Sequence, residues 1–319
     1  YFIGIDICHS HVNIGVTDFK GELISEELSI PFTESQPQER FQRLCEIINQ
    51  FIHKSKVPKH KILSMGINIS GRVNTLTGHS YSSFYFDERP LTEMFENELN
   101  INVSIDNDSR AMTYGEYIKG CVNGEKNILY VNVSWGLGLG IIVGGQLYYG
   151  KSGFSGEFGH IPAFGNEILC HCGKKGCLET EASGLALHRK FLEKLHSGHS
   201  SLLTQKSGYN PNAPISLNDI IEVALQEDML AIELIEEIGN SLGKHIAGLI
   251  NLFNPELVVI GGTLAYAGDY LMLPLRSAIR KYSLNLVSKD STIKVSKLGE
   301  KAGLLGASLL ARSKFIGLI

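Results

Sequence analysis

Three of the six cysteines crowd into one short segment, GHIPAFGNEILCHCGKKGC, where His160 precedes Cys170, Cys172 and Cys177. Three thiolates and one imidazole make a set of four soft-to-borderline ligands that zinc takes in a tetrahedron, at about 2.0–2.3 Å. Gly173 and Gly176 permit the tight backbone turn that would bring Cys172 and Cys177 to one ion. Protein fills all four positions and leaves no place for an activated water, so the expected metal is structural. The alternative is a disulfide among these cysteines beside an incidental histidine. A chain that opens without a secretion signal favours the metal. His171 is expected to be a solvated neighbour, because Cys-x-Cys already supplies a ligand pair.

Carboxylates and amides form the second group. Asp106-Asn107-Asp108 falls where a strand pattern ends and a helix pattern starts. Helix capping needs one such side chain, and strand ends in open α/β sheets also line ligand crevices. Both readings stand for these three residues. Glu157 and Glu179 flank the cysteine segment, where a rigid metal loop could mount them; each alone could be a surface charge. The glycine-rich SWGLGLG, and Gly261-Gly262-Thr263 after LVVIGG, could cradle phosphate through backbone amides. They fit tight turns equally well.

The elements that must hold these groups are legible from periodicity. Ile3, Ile5 and Ile7, then Val12, Ile14 and Val16, alternate as a hairpin, and Asp18-Phe19-Lys20-Gly21 makes a further turn. Phe41, Leu44, Cys45, Ile48, Phe51 and Ile52 repeat at helical spacing. KILSMGINIS and NVSID read as strands, and SRAMTYGEYIKG as a helix closed by Gly120. A second hairpin plan follows: ILYVNVS, a glycine-rich turn, then GIIVG paired with QLYYG. The opening arrangement thus occurs twice, as a weak internal duplication. Helices over ASGLALHRKFLEKL, over Ile235–Phe253 and over GLLGASLLARSKF alternate with the strands ELVVIGG and TIKVSK. The polar stretch at 197–214 reads as a surface loop. Strands alternating with helices predict an α/β fold with mostly buried sheets. The two halves, with no long linker between them, are expected to pack as lobes.

Composition bounds the rest. At 319 residues with 43% hydrophobic and 19% charged residues, the chain is an ordinary globular one, able to bury a substantial core. The net charge of −4 and the lack of a basic block argue against DNA binding by these residues themselves. Apolar runs fall far short of the roughly 20 residues that span a bilayer, and no signal segment opens the chain, so a cytoplasmic location is expected. The first residue is Tyr1, already within two residues of a strand pattern, so an upstream segment is expected.

Taken together, GEFGHIPAFGNEILCHCGKKGCLETEASG, SGRVN, IDNDSRAMTYGE and NPELVVIGG resemble, in order, the blocks of the ROK family of sugar kinases and sugar-responsive repressors. The resemblance covers essentially the whole chain. It implies an actin-like, ribonuclease-H-like bilobal sugar-kinase fold with a structural zinc held by His160, Cys170, Cys172 and Cys177. Residues 1–110 with 300–319 would form one lobe, and 111–299, with the zinc loop, the other. It implies a sugar site of Gly71, Arg72, Asn107, Asp108, Glu157, His160 and Glu179. His160 would serve metal and sugar through different ring nitrogens. In a kinase, Asp108 would take the proton of the attacking hydroxyl.

On the nucleotide side the sequence departs from the family pattern. Family kinases resemble Asp-x-Gly-Gly-Thr at the first phosphate loop, whereas here Asp6 is followed by Ile7, Cys8, His9 and Ser10. They resemble Gly-Thr-Gly at the second, whereas here it is Ser134-Trp135-Gly136; Gly261-Gly262 is retained. Side chains at glycine positions obstruct close approach of backbone to phosphate. A complete sugar set beside compromised phosphate loops is similar to the repressor branch, typified by N-acetylglucosamine and xylose repressors. The expected function is the effector-binding and oligomerisation part of such a repressor. It would bind a hexose, an N-acetylhexosamine or its phosphate, assemble as a homodimer or homotetramer, and reach DNA through an upstream winged helix-turn-helix domain. The alternative is an ATP- and magnesium-dependent hexose or N-acetylhexosamine kinase.

Overall fold

The computed structural model describes residues 1–205, 210 and 213–318. The alternating isoleucines and valines at the start form β1 (Phe2–Ile7) and β2 (His11–Thr17), antiparallel, with Ile5 opposite Ile14. β3 (Leu23–Pro31) pairs with β2 after a turn in which the Asp18 carboxylate accepts from the N–H groups of Lys20 and Glu22. α1 (Pro37–Ser55) buries Leu44, Cys45, Ile48 and Phe51 and ends at Lys56 in the left-handed region, φ 59°. β4 (Ser64–Ile69), the small hairpin of β5 (Val73–Asn74) and β6 (His79–Ser80), α2 (Leu91–Leu99), β7 (Val103–Asn107) and α3 (Asp108–Lys119) follow. The first sheet has the order β3-β2-β1-β4-β7, with β4 parallel to β1 and β7 parallel to β4.

β8 (Ile128–Val133), β9 (Leu137–Val143) and β10 (Gln146–Leu147) open the second half. The cysteine segment contains two short 3-10 turns, Phe158–His160 and Leu178–Thr180. Next come α4 (Gly184–His196), α5 (Leu202–Gln205), α6 (Leu217–Leu225) and α7 (Met229–Phe253), the last closed by Asn254 at φ 43° before Pro255. β11 (Leu257–Gly261), a 3-10 turn over Thr263–Ala267, α8 (Asp269–Tyr282), α9 (Asn285–Asp290), β12 (Thr292–Val295) and α10 (Lys301–Phe315) complete the chain. The second sheet has the order β10-β9-β8-β11-β12, with β11 parallel to both β8 and β12. Each sheet thus sets the first strand of its hairpin at the centre and adds its later strands parallel on one side. This carries the duplication seen in the sequence into topology.

Of the polar stretch at 197–214, part forms α5, and residues 206–209, 211 and 212 lie outside the described residues. No described helix is long and apolar enough to cross a membrane.

The chain divides into two compact units. One comprises Tyr1–Gly124, Gly140–Gly156 and Lys297–Ile319; the other comprises Glu125–Leu139 and Glu157–Ser296. These bounds differ from the lobes expected at 1–110 with 300–319 and at 111–299. The expected boundary cuts α3, which packs against α10: Tyr114 Oη lies 2.8 Å from Ser313 Oγ, and a Cβ on Gly306 would collide with the Ala111 carbonyl. Gly140 packs equally closely on Thr113, and buried Arg110 donates to the Gly153 carbonyl at 2.7 Å. Both contacts bind Gly140–Gly156 to the first unit. That unit's core runs between its sheet and α1 and α2, through Ile5, Ile14, Leu44, Phe51, Ile67 and Phe95.

Candidate functional site

In the first unit, strand register builds a polar row across the sheet. Asn13 is opposite Asp6, Asp6 opposite Asn68, and Asn68 opposite Asp106, and all four are buried. The Asn68 amide donates to the Gly303 carbonyl at 2.8 Å, at the start of α10. The Asp6 carboxyl lies so close to Gly303 that any Cβ there would collide with it. Asp6 Oδ1 has no hydrogen-bond partner among the described residues. Burial, with the charge of Asp108 adding to it, pushes the Asp6 carboxyl up to about 7.

The Asp106-Asn107-Asp108 run divides its labour. Asp106 is a buried anchor, taking Arg110 Nε at 2.8 Å and the Tyr149 hydroxyl at 3.1 Å. Asn107 caps α3, its side-chain oxygen accepting from the N–H groups of Ser109 and Arg110 at 3.0 and 3.3 Å. Its amide donates to the Gly71 carbonyl at 3.2 Å, so the cap also braces the Ser70–Arg72 loop. Asp108 is half-buried and takes the Ser70 hydroxyl at 2.7 Å. Gly71 needs its lack of a side chain: it sits at φ 92° against Ser82. The Arg72 side chain is exposed. The structure therefore brings Gly71, Asn107 and Asp108 together around one loop. Ser70, through Asp108, and Arg110, through the Asn107 cap, join them, and neither was among the expected site residues. For Arg110 a signal existed, four residues after Asp106.

In the second unit, the cysteine segment gathers its ligand atoms. His160, Cys170, Cys172 and Cys177 each offer one atom, all within 4.8 Å of one another. Cys172 Sγ is 3.6 Å from Cys177 Sγ, and Cys170 Sγ is 3.6 Å from His160 Nδ1. Two ligands about 2.3 Å from one ion at the tetrahedral angle would lie about 3.8 Å apart. The residues therefore fit a tetrahedral cation, and every cysteine is a free thiol. His160 turns its other nitrogen outward, Nε2 lying 3.7 Å from Glu157 Oε2. Glu157 is exposed, as a surface charge would be.

Glu179 is the opposite, 6% exposed and fully engaged. Its Oε2 accepts from the Leu137 N–H at 2.9 Å, and Oε1 lies 3.0 Å from His171 Nδ1. Burial alone would raise its pKa, but the His171 and Leu137 hydrogen bonds outweigh it and hold the carboxyl below its ordinary value. His171, expected to be merely solvated, is exposed but has a defined partner in Glu179.

The two hairpin turns come last. After β1, Cys8 N–H bonds the His11 carbonyl at 2.9 Å, and His9 and Ser10 are exposed. Cys8 Sγ rests 3.7 Å from Asp6 Oδ2. After β8, the carbonyls of Ser134 and Trp135 cap α4 by accepting from Gly184 and Leu185 N–H, each at 2.8 Å. The Ser134 hydroxyl donates to Asn132 Oδ1 at 2.8 Å and accepts from Thr263 N–H at 3.2 Å. Gly262, at φ 86°, lies against both of those side chains, so Ser134 and Gly262 are neighbours. The Trp135 ring sits 5.3 Å from that of His188. Other glycines serve packing: Gly136 faces Glu179, and Gly261 faces Tyr130.

Comparison with known proteins places these features in one family. A model described as the ROK family matches residues 2–314. A xylose repressor of Caldicellulosiruptor bescii is 28% identical, covering 98% of this chain and 78% of its own. The crystal structure of a ROK family transcriptional regulator, a homolog of the E. coli MLC protein, superposes with a TM-score of 0.82 at 28% identity over 99% of this chain and 79% of that one. A ROK family glucokinase from Streptomyces griseus, solved with glucose and AMPPNP, gives 0.86 at 28% identity over 98% and 99%.

Proposed function

The chain belongs to the ROK family, and on that footing we propose that it is the sugar-sensing part of a transcriptional repressor. The residues that would supply its sugar contacts are Gly71, Arg72, Asn107, Asp108, Glu157, His160 and Glu179. Acidic and amide side chains suit a neutral ligand that offers many hydroxyl donors. The ligand would be a hexose, an N-acetylhexosamine or its phosphate. A zinc ion held by His160, Cys170, Cys172 and Cys177 would fix the loop that carries Glu157, His160 and Glu179. Its chemistry there is structural, since protein supplies all four ligands.

One observation carries the repressor reading: the two turns that stand where the family's kinases have phosphate loops are built from side chains. Cys8, His9 and Ser10 stand where the family's kinases present Gly-Gly-Thr, and Trp135 stands between Ser134 and Gly136, its indole against His188. The Ser134 hydroxyl is already committed to Asn132 and Thr263. The sugar must bind one DNA-affinity state better than the other, or it could shift nothing. DNA contact would come from a segment outside these residues, whose net charge of −4 suits no phosphate backbone. A homodimer or homotetramer would link the sensing parts.

A kinase reading is favoured by Asp108, which takes the Ser70 hydroxyl at 2.7 Å as a base would take a substrate hydroxyl, and by the likeness to a glucokinase. The test is calorimetric titration of the purified chain with glucose, xylose, N-acetylglucosamine and their phosphates, followed by an assay of sugar-dependent ATP turnover. The repressor reading expects sugar binding without turnover. Turnover at an ordinary enzymatic rate, about 1 per second or faster, that Asp108→Asn abolishes would replace it with the kinase.

A further inference from the structure

Beside the Ser70–Arg72 loop, three aromatic rings face solvent, with Tyr81 in contact with both Tyr85 and Phe154. Tyr81 is 46%, Tyr85 57% and Phe154 38% exposed. Tyr81 lies 6.4 Å from Tyr85 and 6.0 Å, edge-on, from Phe154, and His79 stacks on Tyr81 at 6.2 Å. Single exposed rings are ordinary, but a joined aromatic patch marks a place where something binds.

The patch is braced as a site is. Tyr81 N–H donates to the Arg72 carbonyl at 3.0 Å, and the Ser82 hydroxyl to the Ser70 carbonyl at 2.9 Å. The loop of Phe154 is pinned through the Gly153 carbonyl, which accepts from Arg110 at 2.7 Å; Arg110 itself is 2% exposed. Gly153, at φ 82°, packs against the Val73 carbonyl of the same small hairpin. A buried cation thus holds an exposed phenyl ring in register with two tyrosines.

We infer that Tyr81, Tyr85 and Phe154 form a stacking platform for a second sugar ring, so that the favoured effector is a disaccharide. This rests on the reading that the chain binds sugar. The apolar C–H face of a pyranose packs on a π-face, and its rim hydroxyls stay in water. The nearby charges Asp87 and Arg89 neutralise each other at 2.7 Å, which leaves the platform suited to an uncharged ligand. Its backbone is continuous with the candidate sugar residues: Tyr81 is bonded to Arg72, and Phe154 precedes Glu157 by three residues.

Calorimetry on the full chain compares glucose, xylose and N-acetylglucosamine with cellobiose, maltose, xylobiose and chitobiose. At least one disaccharide should bind about tenfold tighter than its own monosaccharide. Tyr81→Ala and, separately, the more exposed Tyr85→Ala should each remove most of that advantage and leave the monosaccharide within about twofold. A thermal melt establishes that each variant is folded, and the Tyr85 variant carries the test if the other unfolds. Monosaccharide binding with no disaccharide advantage, or an advantage that survives both substitutions, overturns the platform and leaves the sugar reading standing. If neither the seven sugars nor the monosaccharide phosphates bind, the sugar reading itself fails and the platform falls with it.

Discussion

The two hairpin turns occupy matching places in sheets of matching order, yet their polar accounts differ. After β8, the hydroxyl, the turn carbonyls and the amide that follows are each partnered. Ser134 bonds Asn132 and Thr263, the turn carbonyls cap α4, and Leu137 N–H meets a Glu179 carboxylate held below its ordinary pKa. After β1, the neighbouring carboxyl is Asp6, buried, with one oxygen unpartnered among the described residues and its pKa pushed up to about 7. The same topology therefore carries one closed network and one open one. A satisfied buried network rigidifies, whereas an unsatisfied group has a standing cost until a ligand or proton answers it. The turn after β8 is tied down by its hydrogen bonds, whereas the buried Asp6 carboxyl is left to titrate near neutral pH.

The largest effect should come from dismantling the closed side at its base. Cys172→Ser should abolish metal content, measured by mass spectrometry of the purified chain, and cost several kcal/mol of stability in a thermal melt. Sugar binding should be lost with it, because Glu157, His160 and Glu179 share that loop. Full sugar affinity in metal-free protein would break the coupling.

Glu179→Ala cuts one strut only. It leaves the Leu137 N–H buried without its acceptor, at about 1–3 kcal/mol, and should weaken sugar binding about tenfold or more by calorimetry while metal content stays intact. Loss of metal would give Glu179 a different role.

The open side should answer to pH. Asp6 has a folded pKa raised above the unfolded value of 3.8. The protonated form is therefore the one folding favours: its contribution is present below about pH 4 and is lost as pH rises through about 7. Asp6→Asn removes that loss, so the variant should gain on wild type between pH 5 and pH 8, by on the order of a few degrees in Tm. An equal Tm difference at both pH values would show that Asp6 ionises as freely in the fold as in water.

Much of this was readable along the chain. The hairpins and α1 follow from local spacing, since a period of 2 or 3.6 is set by backbone geometry that each segment carries with it. The candidate metal set could be read because His160, Cys170, Cys172 and Cys177 lie within one short segment, and folding brings their ligand atoms within 4.8 Å of one another. Capping by Asn107 was one of two open readings, and the structure gives it a second task at Gly71.

What the sequence determined by itself was therefore the kinds of group present and the elements that carry them. Tertiary structure alone decided how those groups are partnered. The row Asn13–Asp6–Asn68–Asp106 exists only because strand register sets distant residues opposite one another. Arg110 finds Gly153 across 43 residues, and Glu179 finds Leu137 across 42. Hydrogen bonds act over about 3 Å, so no local pattern announces a partner that folding has yet to bring near.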